Sequence, residues 1–229
     1  MSTVIDDEFG AVTIRKSRRS RYIKLSVAPD GTLRASLPLF ATTSGLRKLI
    51  DDSRGEIRTM LAQQRPSVKY HEGMRIGKSH ALIVSSASSL HMKRQGLKLV
   101  LGLPSHLTTE DIEVQQLIRE HVRTALRKEA KHYLPRRLAT LAQQLGCDYE
   151  RVRFSHASTR WGSCSSSGTI SLNIALMQLP FELIDYVLIH ELCHTKQMNH
   201  SRAFWQLVEH ADPEYNSHRR NIKQYSPTI

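Results

Sequence analysis

Hydrophobic and polar residues alternate in two segments near the start of the chain, over 23–27 and over 33–37. A period of two is typical of strands with one buried face, and Pro29-Asp30-Gly31 between the segments predicts a turn, so together they predict a hairpin. Over 44–64 the apolar residues recur with helical spacing instead, which predicts one helix. Further strands are predicted at two segments, 81–84 and 97–101, the latter after a Gln95-Gly96 turn.

The second half of the chain begins with a long helical pattern that opens at Thr108 or Thr109. Pro135 should kink or split this helix, and Gly146 should end it. A helix that Pro180 opens is apolar on most sides, which indicates burial. Two short strands are predicted between these helices, over 152–154 and 169–174.

This order of elements predicts an α+β fold. Strands with one helix come first, and a long helix, a small sheet and a buried helix follow. We predict a β-rich N-terminal subdomain over 1–105 and a catalytic subdomain over 106–229, with the boundary at Pro104-Ser105.

The stretch His190-Glu191-Leu192-Cys193-His194 lies within the helix that Pro180 opens, which we call the metal helix. Two histidines four residues apart on a helix are about 40° apart around its axis and about 6 Å apart along it, so both imidazoles can reach one metal ion. Glu191 is placed to take a proton from a water that the metal activates. Cys193 is a quarter-turn off this face and is predicted to pack rather than ligate.

His200 follows six residues after His194 and is the predicted third ligand, because a turn at Asn199 would bring it back toward the helix. Three protein ligands and a water are typical of a catalytic zinc site rather than a closed structural one. We therefore predict one Zn²⁺ ion per chain, with another divalent metal as the alternative. Four residues further along are rival third ligands: Glu209, His210, Asp212 and Glu214.

The spacing of the three histidines equals that of the metzincin proteases, H-E-x-x-H-x-x-G-x-x-H. Two observations argue against that class. Gln197 stands at the glycine position, and no methionine follows Met198, so the downstream methionine turn of metzincins is absent.

The chain carries a net charge of +12, and its basic residues are clustered near both ends and along the long helix. Such a surface attracts polyanions, so nucleic acid and anionic small molecules are candidate partners. The three cysteines have no paired spacing, which is typical of a reducing cytoplasm. With neither a membrane-spanning stretch nor a signal sequence, the predicted location is cytoplasmic.

The second half of the chain also carries the motifs Arg160-Trp161-Gly162-Ser163-Cys164, Ile170-Ser171-Leu172-Asn173, His190–His194, Asn199-His200-Ser201 and Phe204-Trp205. Together these motifs resemble the YgjP-like metallopeptidase family, which is related to the SprT-like and WLM zinc peptidases. Nearly the whole chain takes part in the resemblance, and Thr159, where a serine is expected, is a mild departure. The resemblance implies a minimal zincin-like fold in the second half, His190, His194 and His200 as ligands, and Glu191 as base.

The resemblance also implies that the segment from Arg160 to Cys164 lies near the site. Arg160 is a candidate to bind a substrate carboxylate or phosphate or to stabilise an oxyanion, with a structural ion pair as the alternative. Asn173 is a candidate to bind the substrate or the neighbouring loop. Gly162 is predicted to allow a tight turn. Phe204 and Trp205 are predicted to pack against the metal helix, with substrate binding as the alternative for Trp205. The strand before that helix is predicted to bind an extended peptide along its edge.

Three functions fit these residues. The first is a zinc peptidase that acts on a peptide or an unfolded protein. The second is a metal-dependent phosphohydrolase, such as a nucleotide pyrophosphatase, because the same activated water can attack phosphorus in an anionic nucleotide. The third is a DNA-associated module in the manner of the SprT-like proteins.

Overall fold

The computed structural model describes residues 2–28, 32–62 and 68–229, and the chain divides into two compact units, 1–67 and 68–229. Both units combine a sheet with helices, which confirms the predicted α+β class. Among the described residues, no helix has both the length and the apolar character needed to cross a membrane.

The first unit contains a four-stranded sheet in the order β1-β2-β4-β3. β3 and β4 pair antiparallel, as their alternation predicted, while the predicted turn at 29–31 lies outside the described residues. The single helix predicted over 44–64 is instead two helices, because Ser53 adopts a non-helical φ of -112° and ψ of 16°; residues 63 and 64 are not described. The elements are β1 (Ser2–Asp6), β2 (Gly10–Lys16), β3 (Lys24–Val27), β4 (Leu33–Leu37), α1 (Thr43–Asp52) and α2 (Arg54–Ala62).

A second four-stranded sheet opens the second unit, in the order β5-β6-β8-β7. Gly96 has a φ of 59° and forms the predicted turn between β7 and β8. Its strands are β5 (Arg75–Ile76), β6 (His80–Ser86), β7 (His91–Gln95) and β8 (Lys98–Leu103).

This second sheet belongs with the rest of the second unit, so the division at 67 and 68 lies well before the predicted boundary at 105. The reason is a dense set of contacts with the long helix α3 (Ile112–Leu145). The buried Glu129 carboxylate of α3 accepts hydrogen bonds from the backbone N–H of Lys78 at 2.8 Å and of Ser79 at 3.1 Å, and it pairs with His80 Nδ1 at 2.6 Å.

α3 begins a few residues later than predicted, and it runs through Pro135 without a break. Leu134 and Leu138 on either side of the proline are fully buried, so packing holds this part of the helix. Gly146 ends it with the left-handed conformation that the sequence predicted, at a φ of 57°.

Three short strands form the sheet next to the metal helix, in the order β10-β11-β9. They are β9 (Arg151–Ser155), β10 (Gly162–Cys164) and β11 (Thr169–Asn173). β11, the strand before the metal helix, is paired on both sides, parallel to β9 and antiparallel to β10. The prediction that a peptide adds to this strand is therefore wrong, because its edges are already used.

Three helices complete the unit, and they are α4 (Phe181–Lys196), α5 (Arg202–Ala211) and α6 (Tyr215–Asn221). Pro180 is the N-cap of α4 rather than its first helical residue. Two nearly parallel hydrogen bonds tie α4 to α3, because Arg137 donates to both carboxylate oxygens of Asp185 at 2.8 and 2.7 Å.

Candidate metal centre

α4 carries the first two histidines and the glutamate of the site. The helix is buried on most sides, as the sequence predicted, and Leu183, Ile184 and Leu188 hold it in the core. His190, Glu191 and His194 emerge near its C-terminal end, where the helix meets β10.

The third histidine comes from the turn after α4. His200 Nε2 lies 3.1 Å from His190 Nε2, and one nitrogen from each of His190, His194 and His200 lies within 4.8 Å of the others. The sequence predicted that Asn199 makes this turn in the left-handed conformation. That prediction is wrong, because no described residue other than glycine has a positive φ. Gln197 is extended instead, and its side-chain amide donates to Asn199 Oδ1 at 2.7 Å.

His190 Nε2 and His200 Nε2 have a spacing that fits a zinc ion. A tetrahedral ion bonded to nitrogen at about 2.0–2.1 Å keeps its ligand atoms about 3.3 Å apart, close to the distance between His190 and His200. His194 Nδ1 lies 3.1 Å from the Gln197 carbonyl oxygen, so this nitrogen carries the proton and leaves Nε2 as a free lone pair. Burial and the neighbouring imidazoles lower the pKa of His190 to about 3, which keeps the ring neutral.

Glu191 is an almost fully buried acid, with 5% of the residue exposed. Its Oε2 atom has no hydrogen-bond partner among the described residues. Burial raises the pKa of Glu191 to about 8, while the charge of Arg160 acts in the opposite direction. A buried carboxylate without a protein partner needs another group to bind, and a nearby divalent cation would favour its charged form.

Gly162 allows this carboxylate to lie against β10. A Cβ atom at residue 162 would come within 2.5 Å of Glu191 Oε1 and within 2.8 Å of Glu191 Cδ. The residue lies in a strand rather than in the predicted tight turn, and its φ is not positive. Close approach of a side chain, and not backbone conformation, therefore explains the glycine.

Phe204 of α5 packs against all three imidazoles and is fully buried. Its ring stacks on that of His194 with centroids 4.5 Å apart, and it meets His190 at 4.9 Å and His200 at 4.8 Å edge to face. The sequence predicted only that Phe204 would pack against α4. The structure makes this ring the apolar support of the ligand set.

Trp205 adds a second aromatic support on the exposed side of the site. Its ring stacks with those of His200 and Tyr215, with both centroid distances at 5.7 Å. The Arg219 guanidinium lies 4.4 Å from the Trp205 ring centroid. The Trp205 ring also lies 5.9 Å from the His190 ring, so it contacts two of the three histidines.

The rival third ligands do not join the histidine cluster. Asp212 accepts a hydrogen bond from His218 Nδ1 at 2.8 Å, and the same carboxylate accepts from the Glu214 backbone N–H at 3.1 Å. His210 and Glu209 are exposed on α5.

Asn173 is fully buried and binds the loop beside the site. Its side-chain amide donates to the carbonyls of Ala157 at 2.6 Å, Arg160 at 3.0 Å and Pro227 at 3.2 Å. Its Oδ1 accepts from the Ala175 backbone N–H at 3.0 Å. These contacts favour the loop-binding alternative for Asn173 over substrate contact.

Arg160 is exposed, and its side chain makes no hydrogen bond or ion pair with the described part of the chain. The alternative of a structural ion pair is thus absent there. Its charge is near enough to Glu191 to lower the pKa of that acid. It remains a candidate to bind an anionic group of a substrate.

Two adjoining cavities surround the site. The metal cleft, of about 250 Å³, is bounded by β10 residues Gly162–Cys164 and by the three histidines. The side cavity, of about 240 Å³, lies between Trp161, Tyr186 and Ile222 and shares His190 and Glu191 with the cleft. Tyr186 comes four residues before His190 in the sequence, and this spacing places both side chains on the same face of α4.

Known proteins provide the last observation on the site. The YgjP-like family, described as a YgjP-like metallopeptidase domain, matches residues 21–225. The zymogen of the metallopeptidase abylysin from Pyrococcus abyssi is 31% identical over 39% of this chain and 92% of its own, with a TM-score of 0.36. The zymogen of the metallopeptidase jannalysin from Methanocaldococcus jannaschii is 21% identical over 39% of this chain and 93% of its own, with a TM-score of 0.35. No protein of curated function matches the chain.

Proposed function

The chain belongs to the YgjP-like family of metallopeptidase domains, and on that premise we propose that it is a zinc-dependent peptidase with Glu191 as general base. The observation that carries the proposal is the convergence of three imidazole nitrogens beside a buried carboxylate that has no partner among the described residues. His190, His194 and His200 are the proposed ligands of one Zn²⁺ ion.

A zinc ion held by these residues supplies a Lewis acid, which lowers the pKa of water and polarises a carbonyl group. Glu191 accepts the proton of the attacking water and returns it to the amide nitrogen that leaves. Its position against Gly162 fixes the carboxylate beside the histidines. Arg160, exposed and unpaired within the described residues, binds a carbonyl or carboxylate oxygen of the substrate.

β10 is the strand that binds an extended peptide in this proposal. It is an edge strand of its sheet, and its residues Gly162–Cys164 line the metal cleft. A peptide that pairs with this edge would present its carbonyl groups beside Glu191. An extended, unfolded chain is therefore the proposed substrate class.

The experiment compares wild type with Glu191→Gln on a fluorescent unfolded casein, with zinc content measured by atomic absorption. Glu191→Gln should retain zinc and lose about 10²–10⁴-fold in rate, the usual contribution of a general base. Glu209→Gln, which changes an exposed acid on α5, should keep full activity. Full activity of Glu191→Gln would refute the assignment.

The same preparations should be given nucleoside triphosphates and assayed for pyrophosphate. The family match supports peptide bonds as the target, and the comparisons give no support to a nucleotide or nucleic acid partner. If pyrophosphate is released, the release depends on Glu191 and casein is not cleaved, the peptidase proposal is wrong and the phosphohydrolase hypothesis is favoured.

A further inference from the structure

Three arginines lie on one face of α3, outside the metal centre. Arg119, Arg123 and Arg127 are each four residues apart, so their side chains follow one another at intervals of about 6 Å along the helix. None of them forms an ion pair or a side-chain hydrogen bond with any residue in the described ranges. Arg137 on the same helix shows the contrast, because Asp185 binds it through both carboxylate oxygens.

Two of these arginines are also partly withdrawn from water. Arg119 is 9% exposed, and Arg123 is half-buried with an Nε atom that has neither solvent contact nor a partner among the described residues. A guanidinium offers five N–H donors and no acceptor. Burial of such a group without an acceptor is costly, which indicates that an acceptor belongs there.

Tyr70 contributes a further donor on this face. Its backbone N–H donates to Gln115 Oε1 at 3.0 Å and its carbonyl accepts from Gln115 Nε2 at 2.8 Å, one helical turn before Arg119. Its hydroxyl is buried and has no partner in the described part of the chain. Burial raises the pKa of Tyr70 to about 12, while the charges of Arg119 and Arg123 act in the opposite direction.

His156 follows β9 directly and is exposed. Its pKa is lowered by burial first and then by the charges of Arg123 and Arg127. The arginines and the tyrosine hydroxyl all offer N–H or O–H donors, and no described acid pairs with an arginine of the set. A ligand for this face must therefore be rich in acceptor oxygens and negatively charged.

We propose that Arg119, Arg123, Arg127 and the Tyr70 hydroxyl form an oxyanion site that binds a phosphate-class group, distinct from the metal centre. A tetrahedral oxyanion presents acceptors in several directions, as donors from successive helical turns and from Tyr70 require. The group is either the free ion or a phosphoryl group on a larger molecule.

The test is isothermal titration of the full chain with inorganic phosphate, with sodium chloride at matched ionic strength as the reference. Wild type should bind one phosphate and gain thermal stability that chloride does not provide. Arg123→Gln should weaken phosphate binding about tenfold or more, because it removes a charged donor. Tyr70→Phe should weaken it about threefold.

Arg136→Gln is the matched control, since it removes the same charge from an exposed position on the same helix. Binding that falls equally in Arg136→Gln and Arg123→Gln reports diffuse charge and overturns the site, as does a wild type that binds no phosphate. Binding that vanishes when a chelator removes zinc places the phosphate on the metal and also overturns it. The thermal unfolding midpoint of each variant without phosphate shows that it has folded.

O-phosphoserine in a parallel titration identifies the source of the group. Binding tighter than that of inorganic phosphate supports a phosphoryl group on a larger ligand, and equal or weaker binding supports the free ion. Casein hydrolysis should be unchanged in Arg123→Gln, so failure of the oxyanion site and failure of the proposed peptidase are separate results.

Discussion

Replacement of Gly162 by alanine should displace the general base Glu191 and leave the three histidine ligands in place. The substitution therefore distinguishes loss of catalysis from loss of zinc. The new Cβ would lie 2.5 Å from Glu191 Oε1, whereas ordinary contacts begin at 3.4 Å, so the carboxylate must move by about 0.9 Å. The atoms in the way belong to the end of a flexible side chain, and they can move without displacing β10 or α4. The histidines have no atom among the three nearest contacts of that Cβ.

The expected magnitude follows from this displacement. Misplacement of a catalytic group by about 1 Å reduces rate about 10²-fold, which corresponds to about 2.7 kcal/mol in the activation free energy. The backbone at Gly162 is open to alanine because its φ is not positive. Unfolding free energy should therefore change little, and alanine even stabilises by about 0.4–1 kcal/mol where the backbone accepts it.

The assay measures kcat/KM on the unfolded casein, zinc content and urea unfolding for Gly162→Ala. Gly55→Ala is the control, because a Cβ at residue 55 meets nothing within 4 Å and its φ is not positive. A variant that binds zinc normally and keeps wild-type kcat/KM would refute the link between the missing Cβ and the base. Loss of zinc would show that the substitution disturbs more than Glu191.

Further predictions concern the ligands and the loop. His200→Ala should weaken zinc binding by more than about 100-fold, because loss of a group that only supports a ligand already costs up to that much. Competition with a chromogenic chelator measures the affinity, and His210→Ala should leave it unchanged. Asn173→Ala should lower the free energy of urea unfolding by about 3 kcal/mol, because buried loop carbonyls lose their donor, whereas the exposed Asn221→Ala should change it by less than about 0.5 kcal/mol. Removal of zinc should abolish hydrolysis, and one equivalent of zinc should restore it; activity that survives removal would contradict the zinc proposal.

The metal helix was predictable because its information is local. Spacing of four residues places His190 and His194 on one face whatever the rest of the chain does. The apolar residues around them predicted burial, and the structure has that burial. His200 needed only a short turn, although the turn is made by an extended Gln197 and not by Asn199.

The close contact between Gly162 and Glu191 was not predictable from the residues around Glu191, because Gly162 comes from a distant part of the chain. β10 has three residues and no detectable period, and Gly162 resembles any turn glycine until α4 lies against it. Asn173 likewise has partners at Ala157 and Pro227, which nothing in its own neighbourhood indicates. Contacts of this kind can be inferred only when the pairing of β10 with β11 is known.

Pro135 shows how packing outweighs a local signal. A proline inside a helix costs about 3 kcal/mol, which favours the predicted split. Leu134 and Leu138 are fully buried, and burial of each contributes about 1.5–3 kcal/mol, so the pair can offset that cost while the helix continues. Of the predicted kink or split, the split is absent, because α3 continues through Pro135.

The donor set itself limits the chemistry of the site. Three neutral imidazoles add no negative charge to a divalent ion, and Glu191 is the one acid among the described residues that line the metal cleft and the side cavity. Most of the positive charge of a divalent ion bound there would therefore be available to polarise a substrate oxygen. Negative charge develops on that oxygen during attack on a carbonyl. Phe204, beneath all three rings, supports them with an apolar surface instead of a carboxylate that would neutralise that charge. The packing that supports the three rings would thus also preserve the electrophilic character of a divalent ion bound to them.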